Sequence, residues 1–262
     1  MVAVFPLEDY TALRQARRVM RYLVIYCTEG NARITIDEKS FELQENEVIT
    51  VTSGQVHFLE NPGEAQGLVL EFSFDFFCKD DADLELIFHN GLFCHFDLNE
   101  IVKLPNRKST THLLEQIRLE LERKPHQHLM AIHAYVKLML IAINRAKIEQ
   151  GSEVWKPEAL FLKFLELVRA NFRHNYPLKH YTALLQTTEL KLNELSKAYT
   201  GKTAQMVLFG LIASEAKRLL IYEKISIKEI AAALGFNDPF YFSHFFKKQV
   251  GISPKGWRER IG

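Results

Sequence analysis

Residues 226–260 read SIKEIAAALGFNDPFYFSHFFKKQVGISPKGWRER. Ser226 and Glu229 stand at capping-box spacing, where two side chains satisfy free amides at a helix start. Ile227, Ile230, Ala231 and Leu234 follow as one apolar stripe of helical period, and Gly235 ends the helix. Asp238 and Pro239 are an N-cap and a first-turn proline, so a second helix begins there. That helix turns Phe242, Phe245, Phe246 and Val250 inward and His244, Lys247 and Lys248 outward. Two short helices joined by a tight turn, the second one basic, make a helix-turn-helix, whose second helix lies in the major groove of DNA.

The unit occurs twice. Residues 176–203, YPLKHYTALLQTTELKLNELSKAYTGKT, repeat the pattern more weakly. Leu185 answers to Leu234 at an offset of 49; Leu192, Lys197 and Gly201 answer to Phe242, Lys247 and Gly251 at 50. The second turn is therefore one residue longer. Thr188 is placed to cap the upstream reading helix as Asp238 caps the downstream one. Between the units, residues 204–223 predict a long apolar helix.

The downstream unit resembles the AraC/XylS family of bacterial transcription regulators. The resemblance rests on Ile230, Ala231, Leu234, Gly235, Phe236, Asp238, Tyr241, Phe242, Ser243, Phe246, Lys247, Lys248, Gly251, Ser253, Pro254 and Arg258 at fixed spacing. The family often has a small residue where this chain has Phe240, and arginine where it has His244. The resemblance implies that the long helix joins the two units rigidly and that they address successive major-groove segments on one face of the DNA.

Charge divides the chain in the same way. Residues 155–262 hold 17 Lys and Arg against 9 Asp and Glu, whereas residues 1–154 hold 16 against 23. A basic half suits phosphate and an acidic half does not. The opening MVAVFPLEDY lacks the basic-then-apolar order of a signal peptide, and no charge-free run reaches membrane-spanning length. Cys27, Cys78 and Cys94 are odd in number without CxxC spacing, which fits a reducing, cytoplasmic setting.

The N-terminal half has another rhythm. RYLVIYC, ARITI, SFEL, EVITVT, VHFLE and GLVLEFSF are short runs parted by turn residues between positions 21 and 74, the pattern of an antiparallel barrel or jelly roll. It looks like the cupin-type sensor domain of many AraC-like proteins, with Gly30, Gly54 and His57 at turn positions. His57 is the one histidine among these strands, and His89 and His95 fall beyond them, so no metal site and no cofactor is expected. Beyond residue 106, Thr111, Leu114, Ile117 and Leu121 share one helical face; after Pro125, Leu129, Ile132, Val136, Leu140 and Ile143 share another. The resemblance implies a dimer contact here, and intrachain packing is the alternative. His126, His128 and His133 read as surface residues.

The expected class is α+β: a cupin-like antiparallel β-barrel with helices, then an all-α domain of two helix-turn-helix motifs. Residues 1–105 are the barrel, 106–150 a helical dimerisation or packing region, 151–157 the linker and 158–262 the DNA-binding domain. Base-facing positions are Pro239, Phe240, Tyr241, Ser243 and His244 downstream, and Leu190, Lys191, Asn193 and Glu194 upstream. Asn193 suits adenine and Glu194 cytosine. Lys197, Lys202, Lys247, Lys248 and Lys255 are placed for phosphate. An effector pocket would draw on Tyr22, Val24, Ile34, Ile36, Ile49, Val51, His57, Leu70 and Phe72, taken as the inward positions of the strands. Partners are double-stranded promoter DNA and RNA polymerase, with a small-molecule effector and a second copy of the chain, and no membrane. Two other readings remain: a cupin enzyme fused to a binding module, and a protein-interaction module with a repeated helix-turn-helix shape.

Overall fold

Each of the six β-rich runs becomes a strand. In the computed structural model, which describes every residue except 10–15, 62–64, 89–91, 94–98, 152–156 and 262, they are β3 (Tyr22–Glu29), β4 (Ala32–Ile36), β5 (Lys39–Leu43), β6 (Glu47–Val51), β7 (Val56–Asn61) and β8 (Gln66–Phe72). Three further short strands join them: β1 (Val2–Pro6), β2 (Arg17–Arg18) and β9 (Ile101–Lys103). Gly30, Asp37, Asn46 and Gly54 have positive φ in the connecting turns, a conformation that glycine, aspartate and asparagine adopt at least cost. Cys94, His89, His95 and most of the expected linker lie outside the described residues.

The strands form two antiparallel sheets, ordered β1-β8-β3-β6-β9 and β2-β7-β4-β5. One apolar interior lies between them. Leu23, Ile25, Cys27, Ile49, Val51 and Val69 come from the first sheet, and Ala32, Ile34, Ile36, Leu43 and Leu59 from the second. β3 is buried at six successive positions, so both its faces are covered. Leu23, Ile25 and Cys27 point into the interior, and Tyr22, Val24 and Tyr26 therefore point the other way. There the Tyr22 ring lies 5.7 Å from Phe72 and 5.0 Å from Phe93, and Phe72 lies 5.5 Å from Phe77. Phe77 and Phe88 come from two short helices, α1 (Phe74–Phe77) and α2 (Asp81–Phe88).

The helices after β9, α3 (Arg107–Arg123) and α4 (His128–Glu149), pack on each other and on the first sheet, so they belong to the same compact unit, Met1–Lys156. Asn106 caps α3 by accepting from the Ser109 amide. α4 is long and apolar enough to cross a membrane, but its Ile132, Val136, Met139, Leu140 and Ile143 are buried inside the unit. Leu129, expected on that buried stripe, is exposed, because α4 begins one residue before it and its first turn overhangs the packing. His133 is a correction of another kind. Its Nε2 lies 2.8 Å from the Phe77 carbonyl and 3.1 Å from Asp83 Oδ2, and Lys137 Nζ lies 2.5 Å from Asp83 Oδ1. His133 thus pins α4 to the two short helices.

The second unit, Pro157–Gly262, is all helical. α5 (Ala159–Asn171) and a 3-10 turn (Phe172–His174) precede α6 (Leu178–Leu184) and α7 (Glu189–Thr200). α8 (Ala204–Tyr222) follows, then α9 (Ile227–Ala233), α10 (Pro239–Val250) and α11 (Pro254–Ile261). α8 packs on α5, α6, α7, α9, α10 and α11, so one helix holds both helix-turn-helix pairs. The capping box of Ser226 and Glu229 is formed in full. Arg258 on α11 donates to the carbonyls of Leu220 and Ile225, tying the last helix to the end of α8 and the turn beyond it.

Two features fix the downstream pair. Phe236, Phe242, Phe246 and Trp257 form a run of ring contacts, with successive centroids 5.4, 6.0 and 6.2 Å apart. Gly235 has φ +73°, and a Cβ built on it would lie 2.5 Å from the His174 carbonyl carbon. The turn between α9 and α10 is thus seated on backbone just ahead of α6. Phe246→Ala should destabilise this unit by about 3–5 kcal/mol. Gly235→Ala should cost about 2 kcal/mol or more from positive φ and overlap together. Urea unfolding of the full chain followed by near-ultraviolet circular dichroism measures both, and unchanged transitions would refute the packing.

Candidate nucleic-acid interface and sheet interior

α7 and α10 are built alike. Thr188 and Asp238 cap them, accepting from the Lys191 and Phe240 amides. Gly201 and Gly251 end them in the left-handed conformation, each donating to the carbonyl of Lys197 or Lys247. Leu192 and Leu195 bury the inner side of α7, and Phe242 and Phe246 that of α10. Phe245, placed inward by the sequence, is only half-buried; it packs 5.4 Å from Phe209 and 5.2 Å from Phe236.

The outer faces follow from this phase. Phe240, Tyr241, His244, Lys247 and Lys248 are exposed on α10; Leu190, Lys191, Glu194 and Lys197 are exposed on α7. Lys202 and Lys255 are exposed as well. Among the described residues Lys191 lies 3.9 Å from Glu158 and Lys255 3.8 Å from Glu259. Pro239, Ser243 and Asn193 are only half-buried and stand at the edge of these faces.

Ser243 and Asn193 hold equivalent positions, 50 apart, and both are engaged inside the protein. The Ser243 hydroxyl donates to the Pro239 carbonyl at 2.8 Å. Asn193 Oδ1 accepts from the Ala204 amide at 2.9 Å, at the first residue of α8. Bidentate pairing with adenine uses both the oxygen and the nitrogen of an asparagine amide. This oxygen already holds the start of the connecting helix. Nothing in sequence spacing signals that, because the partner is a backbone amide in the next element.

Comparison with known proteins meets this geometry at both ends. The signature of a helix-turn-helix domain matches residues 181–260, and that of an AraC-like ligand binding domain matches residues 9–136. The chain belongs to the AraC/XylS family. The chain is 36% identical over 87 residues to the transcriptional activator RhaR of Cronobacter sakazakii, covering 33% of this chain and 31% of that one. RhaR of an Enterobacter species is 26% identical over 147 residues, 56% of this chain and 51% of its own length. The chain thus spans about a third to a half of the curated relatives it matches. ToxT from Vibrio cholerae aligns with all of this chain and 97% of its own, at 13% identity and a TM-score of 0.44.

In this AraC-family chain the interior between the sheets carries a polar group at one side. His57 is the second residue of β7, directly across from Ile36, so it faces inward and is fully buried; it is not a turn residue. Its Nδ1 lies 3.2 Å from the Gln55 carbonyl, which makes Nδ1 the protonated nitrogen, and among the described residues Nε2 has no hydrogen-bond partner. Beside it, Arg17 of the second sheet reaches Glu71 of the first at 2.9 Å, and Arg21 reaches the other Glu71 oxygen at 2.7 Å. Glu71 is buried, and burial pushes its carboxyl up. The interior therefore contains Ile34, Ile36, Ile49, Val51 and His57 from the expected pocket. Tyr22, Val24, Leu70 and Phe72 are corrected to the opposite, helix-covered face, since Leu23 and Val69 beside them point inward. Sequence reasoning missed the Arg17–Glu71–Arg21 group, whose carboxylate lies 54 and 50 positions from its two arginines. Among the described residues no group of three or more His, Cys, Asp or Glu could hold a metal ion.

Burial lowers the His57 pKa to about 4, from an ordinary value of 6.5. Between these values an unfolded chain binds a proton that the folded chain does not. The contribution to stability is complete above about pH 6.5 and is lost as pH falls toward 4. It should amount to about 2 kcal/mol between pH 7 and pH 5. Unfolding at the two pH values should show that much less pH dependence in His57→Leu than in the parent; equal slopes would show that the ring is not held neutral.

Proposed function

We propose that this chain is a sequence-specific, DNA-binding transcription activator, with α7 and α10 as its two reading helices. The observation that carries the reading is the duplication of one exposed face. In both helices the buried leucines or phenylalanines turn the same positions outward, beyond a capped N-terminus and ahead of an exposed lysine. Phe240, Tyr241, His244, Leu190, Lys191 and Glu194 face base edges; Glu194 accepts from cytosine and is kept from the phosphates. Pro239, Ser243 and Asn193 support these faces from their edges. Lys197, Lys202, Lys247, Lys248 and Lys255 lie along the backbone, where they position the protein without reading sequence. Promoter DNA is the partner, RNA polymerase is recruited there, and the protein works in the cytoplasm. Residues 158–262 form the reading domain and the sheet unit regulates it rather than catalysing a reaction.

The sheet unit has two tasks in this reading. Its interior takes an effector, on the strength of the bare His57 Nε2 beside an apolar lining. Its α4 joins two copies of the chain: Met130, Leu138 and Ile148 are exposed apolar residues at helical spacing on the side of α4 away from Ile132, Val136 and Ile143. An effector that binds two arrangements unequally then shifts DNA affinity.

Selection of bound duplexes from a random pool by the full chain tests the central claim. Lys197→Ala, Lys247→Ala and Lys248→Ala should each weaken binding to all duplexes alike and flatten the salt dependence by about one ion. Altered base preference with an unchanged salt slope would refute the assigned docking. Leu138→Glu should turn a dimer into a monomer in sedimentation at micromolar concentration; a parent chain that is already monomeric removes the dimer.

A further inference from the structure

Leu190 and Phe240 are the second helical residues after the caps Thr188 and Asp238. They are 72% and 82% exposed. A single bare apolar residue on a surface is ordinary. Two at matched positions of a repeat, 50 residues apart, are not accounted for by packing, because Leu192 and Leu195 in one helix and Phe242 and Phe246 in the other already build the core. Each stands in the first turn, the end of a reading helix that meets base edges. Charged or hydrogen-bonding neighbours flank each of them: Lys191 and Glu194 upstream, Tyr241 and His244 downstream.

In the major groove, base edges offer hydrogen-bond donors and acceptors, and one apolar group, the C5 methyl of thymine. An aliphatic or aromatic side chain held bare at that point has no other complement there. We propose that Leu190 and Phe240 each read a thymine methyl, so that both halves of the recognised duplex carry a thymine at the matched place. This rests on the DNA-binding reading above and adds the identity of one base in each half.

The probe is the winning duplex from the random pool, remade with deoxyuridine at one thymine at a time; the exchange removes the methyl and leaves base pairing intact. With the full chain, one exchange in each half should weaken binding about fourfold, the worth of one buried methyl-sized group. Leu190→Ala should lose sensitivity to the exchange in one half, and Phe240→Ala to that in the other. Both side chains are exposed, so neither variant endangers the fold. A selected duplex whose binding is indifferent to every such exchange, or variants that respond as the parent does, overturns the thymine assignment and leaves DNA binding standing. A chain that retains no duplex from the pool overturns the regulatory reading, and this one with it.

Discussion

The phase of α10 is set by the burial of Phe242 and Phe246, and what the second unit offers a partner depends on it. With 3.6 residues per turn, fixing two positions four apart fixes all the others. Tyr241 and His244 face out because those rings face in. The rings are in turn held by Phe236 and Trp257, which belong to the turn before and the helix after. α7 reaches the same arrangement with leucines. The inner residues of the two copies differ in kind, yet the outward positions coincide, because helical geometry and the two caps determine them.

α8 turns two such helices into one body. It touches every other α-helix of its unit, and its two ends are fastened by side chains from those neighbours. Asn193 of α7 holds its first amide, and Arg258 of α11 holds a carbonyl in its last turn. Gly235 adds a third tie, bringing the downstream turn onto backbone ahead of α6. Neither α7 nor α10 can therefore tilt without disturbing the helix that carries the other.

How much of this was legible depended on whether polar residues marked a face. In 226–260 lysine, histidine and aspartate alternate with phenylalanine at helical spacing, so helix limits, caps and inner face could all be read. β4 is legible to the residue for the same reason, its polar and apolar positions alternating beside clear turns. β3 was different. Tyr22 to Cys27 are apolar throughout, and a strand covered on both sides carries no period of two. Only the residues packed on each side decide which positions point inward, and Tyr22 and Val24, expected there, point the other way. β2 and β9, of two and three residues, are too short to show any pattern. Asn193 and His133 look like surface residues because their partners, an amide in the next helix and a carboxylate 50 positions away, are invisible to local spacing.

The two outward faces are alike in plan and unlike in chemistry. One shows leucine, lysine and glutamate; the other shows phenylalanine, tyrosine and histidine at the same places. Fixed in order on a single rigid body, they give the protein a head and a tail. A duplex matched to such a pair is not equivalent when turned end for end, so a single chain would mark a direction along the DNA as well as a location. A symmetric pair of identical readers could not do this, and the orientation of whatever is assembled beside it would be set by one polypeptide.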